Sequence, residues 1–141
     1  FRRVLFRSTA NSKAVEAIRI AAQIEGSEYV WGGKSSEGVD CSGLVQSAYK
    51  AQGINLARDA YQQAYSGNIV ATREYRDGLR PGDLLYFLGS NGKIHHTAMY
   101  VGDDQFIEAS GTVKYTSFNP EDENYSERRD RSFCFAKRVL E

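Results

Sequence analysis

Cys41 stands in Asp40-Cys41-Ser42-Gly43-Leu44, directly after the glycine-bearing stretch Gly32 to Gly38 and at the expected start of a helix. A sulfur placed there meets the positive end of the helix dipole, which favours thiolate, the nucleophilic form. A lone cysteine is more often a buried packing residue, so position alone does not decide its role. Thiol chemistry also needs a neighbour that takes the proton and later protonates the leaving group. His95 and His96, the only two histidines, open the stretch Thr97-Ala98-Met99-Tyr100-Val101-Gly102. Successive residues of a strand face opposite sides, so one of the two can point at Cys41. Downstream, Phe106-Ile107-Glu108-Ala109-Ser110-Gly111 reads as the next strand. Pairing across the Gly102-Asp103-Asp104 turn would bring Glu108 beside the start of the histidine strand. A carboxylate there orients an imidazole and stabilises its protonated form. Taken singly, each residue has an ordinary reading: a solvated turn histidine, an exposed strand glutamate.

The elements that must position these residues follow from periodicity. Ser12 to Glu25 reads as a helix with Val15, Ile18, Ala22 and Ile24 as its apolar face and Gly26 as its stop. A second helix is expected from Cys41 to Lys50, burying Leu44, Val45, Ala48 and Tyr49, and a short third from Asp59 to Tyr65. Then the period changes. Leu84 to Leu88, Thr97 to Val101, Gln105 to Ala109, Val113 to Phe118 and Phe133 to Val139 read as strands, with Gly89 to Lys93 as a hairpin turn. Asn119 to Arg131 reads as a polar, charge-rich loop. Helices first and antiparallel strands after imply an α+β domain with the helices on one side of the sheet.

Composition narrows the classes. A chain of 141 residues fits one domain, and 18 basic against 18 acidic side chains give no net charge. That balance offers no footprint for nucleic acid, and no apolar run is long enough for a membrane span. Two cysteines, Cys41 and Cys134, make no disulfide framework, and two adjacent histidines with them make no zinc site; no metal is expected. Residues 1–10 open with Phe1-Arg2-Arg3-Val4-Leu5 and lack a signal-peptide pattern. They are treated as a fragment edge or scar, and 11–141 as the functional domain.

Five ordered strings carry a resemblance: Tyr29-Val30-Trp31-Gly32-Gly33, Asp40 to Leu44, Arg80 to Phe87, His95 to Gly102 and Phe106 to Gly111. Together they resemble the NlpC-type (p-sixty) cell-wall peptidases over roughly Val15 to Leu140. The resemblance implies a papain-like fold, with N-terminal helices packed on a five- to six-stranded, mostly antiparallel sheet. It implies a cysteine peptidase acting on murein stem peptides without a cofactor. Cys41 falls on the nucleophile, His96 rather than His95 on the base, and Glu108 on the third residue of the triad. Glu108 is a departure, because histidine is the commoner residue at that place. Tyr29 falls on a tyrosine near the nucleophile and the oxyanion. Asp40 and Ser42 fall on residues that receive the free amine of L-Ala in members cutting after a dipeptide.

Trp31, the stretch Leu56 to Ala60 with Asp59 as a substrate contact, and the Asn119 to Arg131 loop resemble the dipeptidyl-peptidase VI branch. That branch cleaves the γ-D-Glu to diamino-acid bond. Ala60 stands where the branch often has serine. Members usually carry Src-homology-three-like domains upstream, so a wall-binding domain preceding this chain is expected. The resemblance places the protein in the cell envelope or outside the cell, with cytoplasmic murein recycling as the alternative. Two rival activities stay open. One is N-acetylmuramoyl-L-alanine amidase or other thiol acyl transfer; the other is an inactive module that binds murein peptides.

Overall fold

The computed structural model describes residues 12–26, 34–35, 38–65 and 67–139. Helix α1 (Ser12–Ala22) runs on as a turn to Gly26, whose left-handed φ of 90° lets its N–H reach the Val113 carbonyl at 2.7 Å. The expected apolar face of α1 is displaced. Ala14, Ala17 and Ala21 form the buried stripe, Ile18 and Ile24 pack beside it, and Val15 is 47% exposed. Small methyl groups let α1 approach the next helix closely, and a row of branched side chains would hold it off.

Strands β1 (Lys34–Ser35) and β2 (Gly38–Val39) form a short antiparallel ladder that leads into Asp40 and helix α2 (Cys41–Lys50). Helix α2 buries Leu44, Val45, Ala48 and Tyr49, as its sequence pattern requires. The third helix, α3 (Ala60–Gln63), is shorter than expected and is capped by Asp59.

Six strands follow: β3 (Asn68–Thr72), β4 (Leu84–Leu88), β5 (Ile94–Gly102), β6 (Gln105–Ser110), β7 (Thr112–Ser117) and β8 (Phe133–Arg138). They form one sheet in the order β3-β8-β4-β5-β6-β7, antiparallel at every junction. Strand β3 was not legible in the sequence, because at this sheet edge only Ala71 is fully buried and no alternation shows. Its partner β8 also lies far along the chain, so no local turn announces the pairing. The 119–131 segment, expected as a loop, contains helix α4 (Glu127–Ser132), whose cap Ser126 accepts the Arg129 N–H at 3.2 Å.

The sheet buries both faces. Leu84, Tyr86, Met99, Ile107, Ala109 and Val113 pack with α1 and α2 on one. On the other, Phe87 meets Phe106, Phe118 and Phe133 with ring centroids 5.6, 6.2 and 5.9 Å away. Arg129 of α4 lies over Phe87, so a helix also reaches the face that the sequence left uncovered.

Substitutions on α1 test the corrected face. Ala17→Leu should overpack the α1–α2 contact and lower stability by about 1–3 kcal/mol. Val15→Ala should stay within about 0.5 kcal/mol. Urea-unfolding midpoints report both, and the reverse order would restore the face read from periodicity.

Candidate active site

Cys41 is the first residue of α2, and its position follows from the cap before it. Asp40 has an extended backbone, and its side chain accepts the Gly43 N–H at 2.7 Å while Leu44 N–H bonds the Asp40 carbonyl. The thiol is nearly buried, and its sulfur accepts the backbone N–H groups of Thr97 and Ser42. Burial pushes the Cys41 thiol up; the two N–H bonds and the Arg129 charge oppose this, and the Asp40 charge adds to it. Desolvation thus opposes the thiolate that the helix dipole favours.

His96 comes from β5, opposite Phe87 in the ladder. The ladder then skips, pairing Leu88 with Ile94, so His95 is the extra residue of a β-bulge. His96 is buried and His95 is exposed, yet both line the same cleft. Simple alternation would have sent His95 to the far side; the bulge keeps it at the rim.

Glu108 reaches His96 because β5 and β6 are joined by a turn with two left-handed residues, Asp103 (φ 53°) and Asp104 (φ 66°). Paired left-handed residues match strand twist and hold a hairpin in one register. His96 Nε2 and Glu108 Oε1 lie 2.7 Å apart. Glu108 is 2% exposed and has two more partners: the Thr116 hydroxyl on Oε2, and Arg129 Nε on Oε1 at 2.8 Å. Burial alone would raise this carboxyl. The hydrogen bond and charge of His96, the charge of Arg129 and the Thr116 hydroxyl outweigh it and hold the group at about 2. His96 is pushed below its ordinary value, first by burial and then by Arg129 and Arg128, against the pull of Glu108.

The cleft holding Cys41 and His96 measures about 680 Å³. One wall carries Asp40, Ser42, Arg58 and Asp59, the other Ser110, Arg128 and Arg129. Arg58 binds both Asp40 oxygens, at 3.1 and 2.8 Å, and the Ser42 hydroxyl at 2.8 Å. Thus Cys41, His96, Asp40, Ser42 and Asp59 share one cleft, with Glu108 directly behind His96. Tyr29 and Trp31 lie outside the described residues. Sequence reasoning missed Arg129 and the Arg58–Asp40 pair. The only local signal for Arg129 was the capping serine of α4; no signal pointed to Glu108. Among the described residues no group of three or more His, Cys, Asp or Glu side chains is placed to hold a metal, and no helix is long and apolar enough to cross a membrane.

With this geometry in place, comparison with known proteins is informative. Residues 26–134 match the NlpC/P60 family. A gamma-D-glutamyl-L-lysine dipeptidyl-peptidase of Bacillus subtilis is 38% identical over 109 residues, 76% of this chain and 36% of that protein. The murein DD-endopeptidase MepS/murein LD-carboxypeptidase of Escherichia coli is 38% identical over 123 residues, 84% of this chain and 59% of that protein. A crystal structure of an NlpC/P60 family protein from Bacillus cereus superposes with a TM-score of 0.80 at 30% identity, covering 91% of this chain and 40% of that one. The chain thus spans between about a third and three fifths of the length of these relatives.

The charges of the site predict how stability responds to acid. Glu108 and His96 both have folded-state pKa values below their unfolded ones, so each contributes stability that is lost as pH falls. For Glu108 the window runs from its unfolded value of 4.5 down to about 2. Urea midpoints measured down this range should show wild type losing its advantage over Glu108→Gln. A constant gap between the two would mean that folding leaves the Glu108 carboxyl titrating as it does in the unfolded chain.

Proposed function

The chain belongs to the NlpC/P60 family, and from that premise we propose that it is a cysteine peptidase cutting murein stem peptides at the γ-D-Glu to diamino-acid bond. The observation that carries the reading is the 2.7 Å contact between His96 Nε2 and Glu108 in the cleft that holds Cys41. With Nε2–H donated to the carboxylate, the lone pair of Nδ1 is left for the Cys41 proton. A neutral thiol and a neutral imidazole suit this division, since both are disfavoured as ions by burial.

The reaction then runs in two halves. Nδ1 takes the proton as the Cys41 sulfur attacks the scissile carbonyl, and the oxyanion forms near the N-terminus of α2, at the positive end of its dipole. Protonated His96 gives its proton to the leaving amine, which breaks the C–N bond and leaves a thioester. Water, deprotonated by His96, attacks the thioester and releases the acid and the thiol. Throughout, Glu108 holds the ring and balances the transient imidazolium.

Bond choice rests on the other wall. Asp40 and Asp59 are two carboxylates around one guanidinium, Arg58. That leaves a net negative charge which the free amine of an N-terminal L-Ala would complete, beside the Ser42 hydroxyl. The name of the Bacillus subtilis relative fits this reading. The Escherichia coli relative is named for other bonds, so the defined substrate must decide.

Mass spectrometry of a reaction with L-Ala-γ-D-Glu-diamino-acid peptides should show release of the L-Ala-D-Glu dipeptide. Cys41→Ser should abolish it and Cys134→Ser should leave it nearly unchanged. His96→Ala should lower kcat by ~10²–10⁴-fold; His95→Ala, at the rim, should act mainly on KM. Acetylating the peptide amine should raise KM sharply. Cleavage between muramic acid and L-Ala would establish the amidase instead, and binding without turnover would establish the inactive module.

A further inference from the structure

Arg129 lies outside the catalytic series that the sequence suggests, yet it is 8% exposed and bonds the same Glu108 oxygen that His96 uses. Its Nη2 donates to Ser110 Oγ at 3.2 Å, and its guanidinium lies 5.5 Å from the centroid of the Phe87 ring, which also flanks His96 at 5.4 Å. The guanidinium is therefore fixed on three sides, by a carboxylate, a hydroxyl and a ring.

We propose that Arg129 is a positioning residue that keeps His96 in its neutral, proton-accepting form: by pairing with Glu108 it lets a buried carboxylate orient the imidazole without trapping it as imidazolium. The inference rests on the reading of His96 as the base. A bare carboxylate in hydrogen-bond contact with an imidazole raises its pKa, more so where water is excluded. Stabilised too far, the imidazolium cannot accept a second proton, and the base is lost at working pH. A cation on the same carboxylate oxygen removes most of the net charge while the oxygen keeps a lone pair for Nε2–H. Geometry is retained and the charge effect is offset.

The groups that face His96 from each side agree with this account. Glu108 on β6 is the only carboxylate in contact with the ring among the described residues. Arg129 and Arg128 on α4 both disfavour its protonation, Arg128 from an exposed position at the cleft wall. Burial disfavours the thiolate of Cys41 on α2, Phe87 on β4 carries no charge, and Thr116 on β7 bonds the far oxygen of Glu108. Across the cleft, Asp40 is occupied by Arg58 and Asp59 stands beside that pair. Arg129 is thus the cation that directly counters Glu108.

Histidine ring NMR of the folded protein tests this without any turnover, with His95→Gln identifying which of the two signals belongs to His96. In wild type His96 should titrate below the ordinary value of about 6.5. Arg129→Gln should raise it by about one unit or more, and Glu108→Gln should move it in the opposite direction. Arg129→Lys, which keeps a cation, should stay close to wild type. The acid limb of kcat/KM should move with the ring in each variant. A folded Arg129→Gln protein with an unmoved His96 would overturn the proposal. If Arg129→Gln fails to fold, the proposal falls when Arg129→Lys raises the His96 value by a full unit, or when Glu108→Gln fails to lower it. If the titrations shift as expected and no murein peptide is cut, the peptidase reading fails and the charge role of Arg129 stands.

Discussion

Glu108 is tightly constrained, because a carboxylate at 2% exposure is tolerated only when other groups replace the water it has lost. Its replacements come from three separate elements: the His96 ring from β5, the Thr116 hydroxyl from β7 and the Arg129 guanidinium from α4. Each has to be delivered by its own part of the architecture. The tight Asp103–Asp104 turn sets β5 against β6, and the β6–β7 hairpin pairs Phe106 with Thr116, one alternate position from Glu108. The capped helix α4 presents Arg129 from a segment whose composition alone suggests only a solvated loop. Strands β5, β6 and β7 and helix α4 thus meet around one buried charge.

The cleft that holds Cys41 is bordered by two guanidinium–carboxylate pairs. On one wall Arg58 holds Asp40, and on the other Arg129 holds Glu108. Both pairs are formed between residues distant in sequence, and both guanidiniums are anchored by additional hydroxyl contacts, to Ser42 and Ser110. Forked guanidinium contacts of this kind give direction as well as charge. The walls therefore keep their shape when a substrate displaces water. The same dryness makes a lasting thiolate at Cys41 unfavourable and couples its formation to proton transfer.

How far the sequence revealed this depends on the range of the interaction concerned. Cys41 and its helix were legible because cap, dipole and apolar face lie within ten residues. The His96–Glu108 relation was legible because one hairpin joins them, and a period of two decides which side chains share a face. The family resemblance then chose His96 over its neighbour. Arg129 was not legible, since nothing near it in sequence indicates the carboxylate 21 residues earlier that it will meet. The same holds for β3, which exposes most of its side chains and depends on a partner at the other end of the chain. On α1 the alanines carried the contact, and a hydropathy pattern gives alanine too little weight to show it. The raised Cys41 thiol was missed for a related reason: the helix dipole is a local feature, while burial is set by the whole fold.

The bulge at His95 shows why a regular sheet would not serve this cleft. Along an even strand, a buried His96 would send His95 through to the opposite face, where α1 and α2 pack. The skipped pairing of Leu88 with Ile94 releases β5 from that alternation beside the hairpin turn. Gly89 makes the release possible, because a side-chain carbon there would lie 3.0 Å from His95 Cβ. His95 can then stay at the rim, where it also borders a second hollow lined by Tyr61, Tyr65 and Lys93. One extra residue in one strand thus gives the paired histidines different surroundings: a dry ring held by Glu108, and a wet one at the edge of the groove. The difference between the buried and the rim histidine is therefore a property of the backbone, and either histidine transplanted to the other position would take on its neighbour's environment.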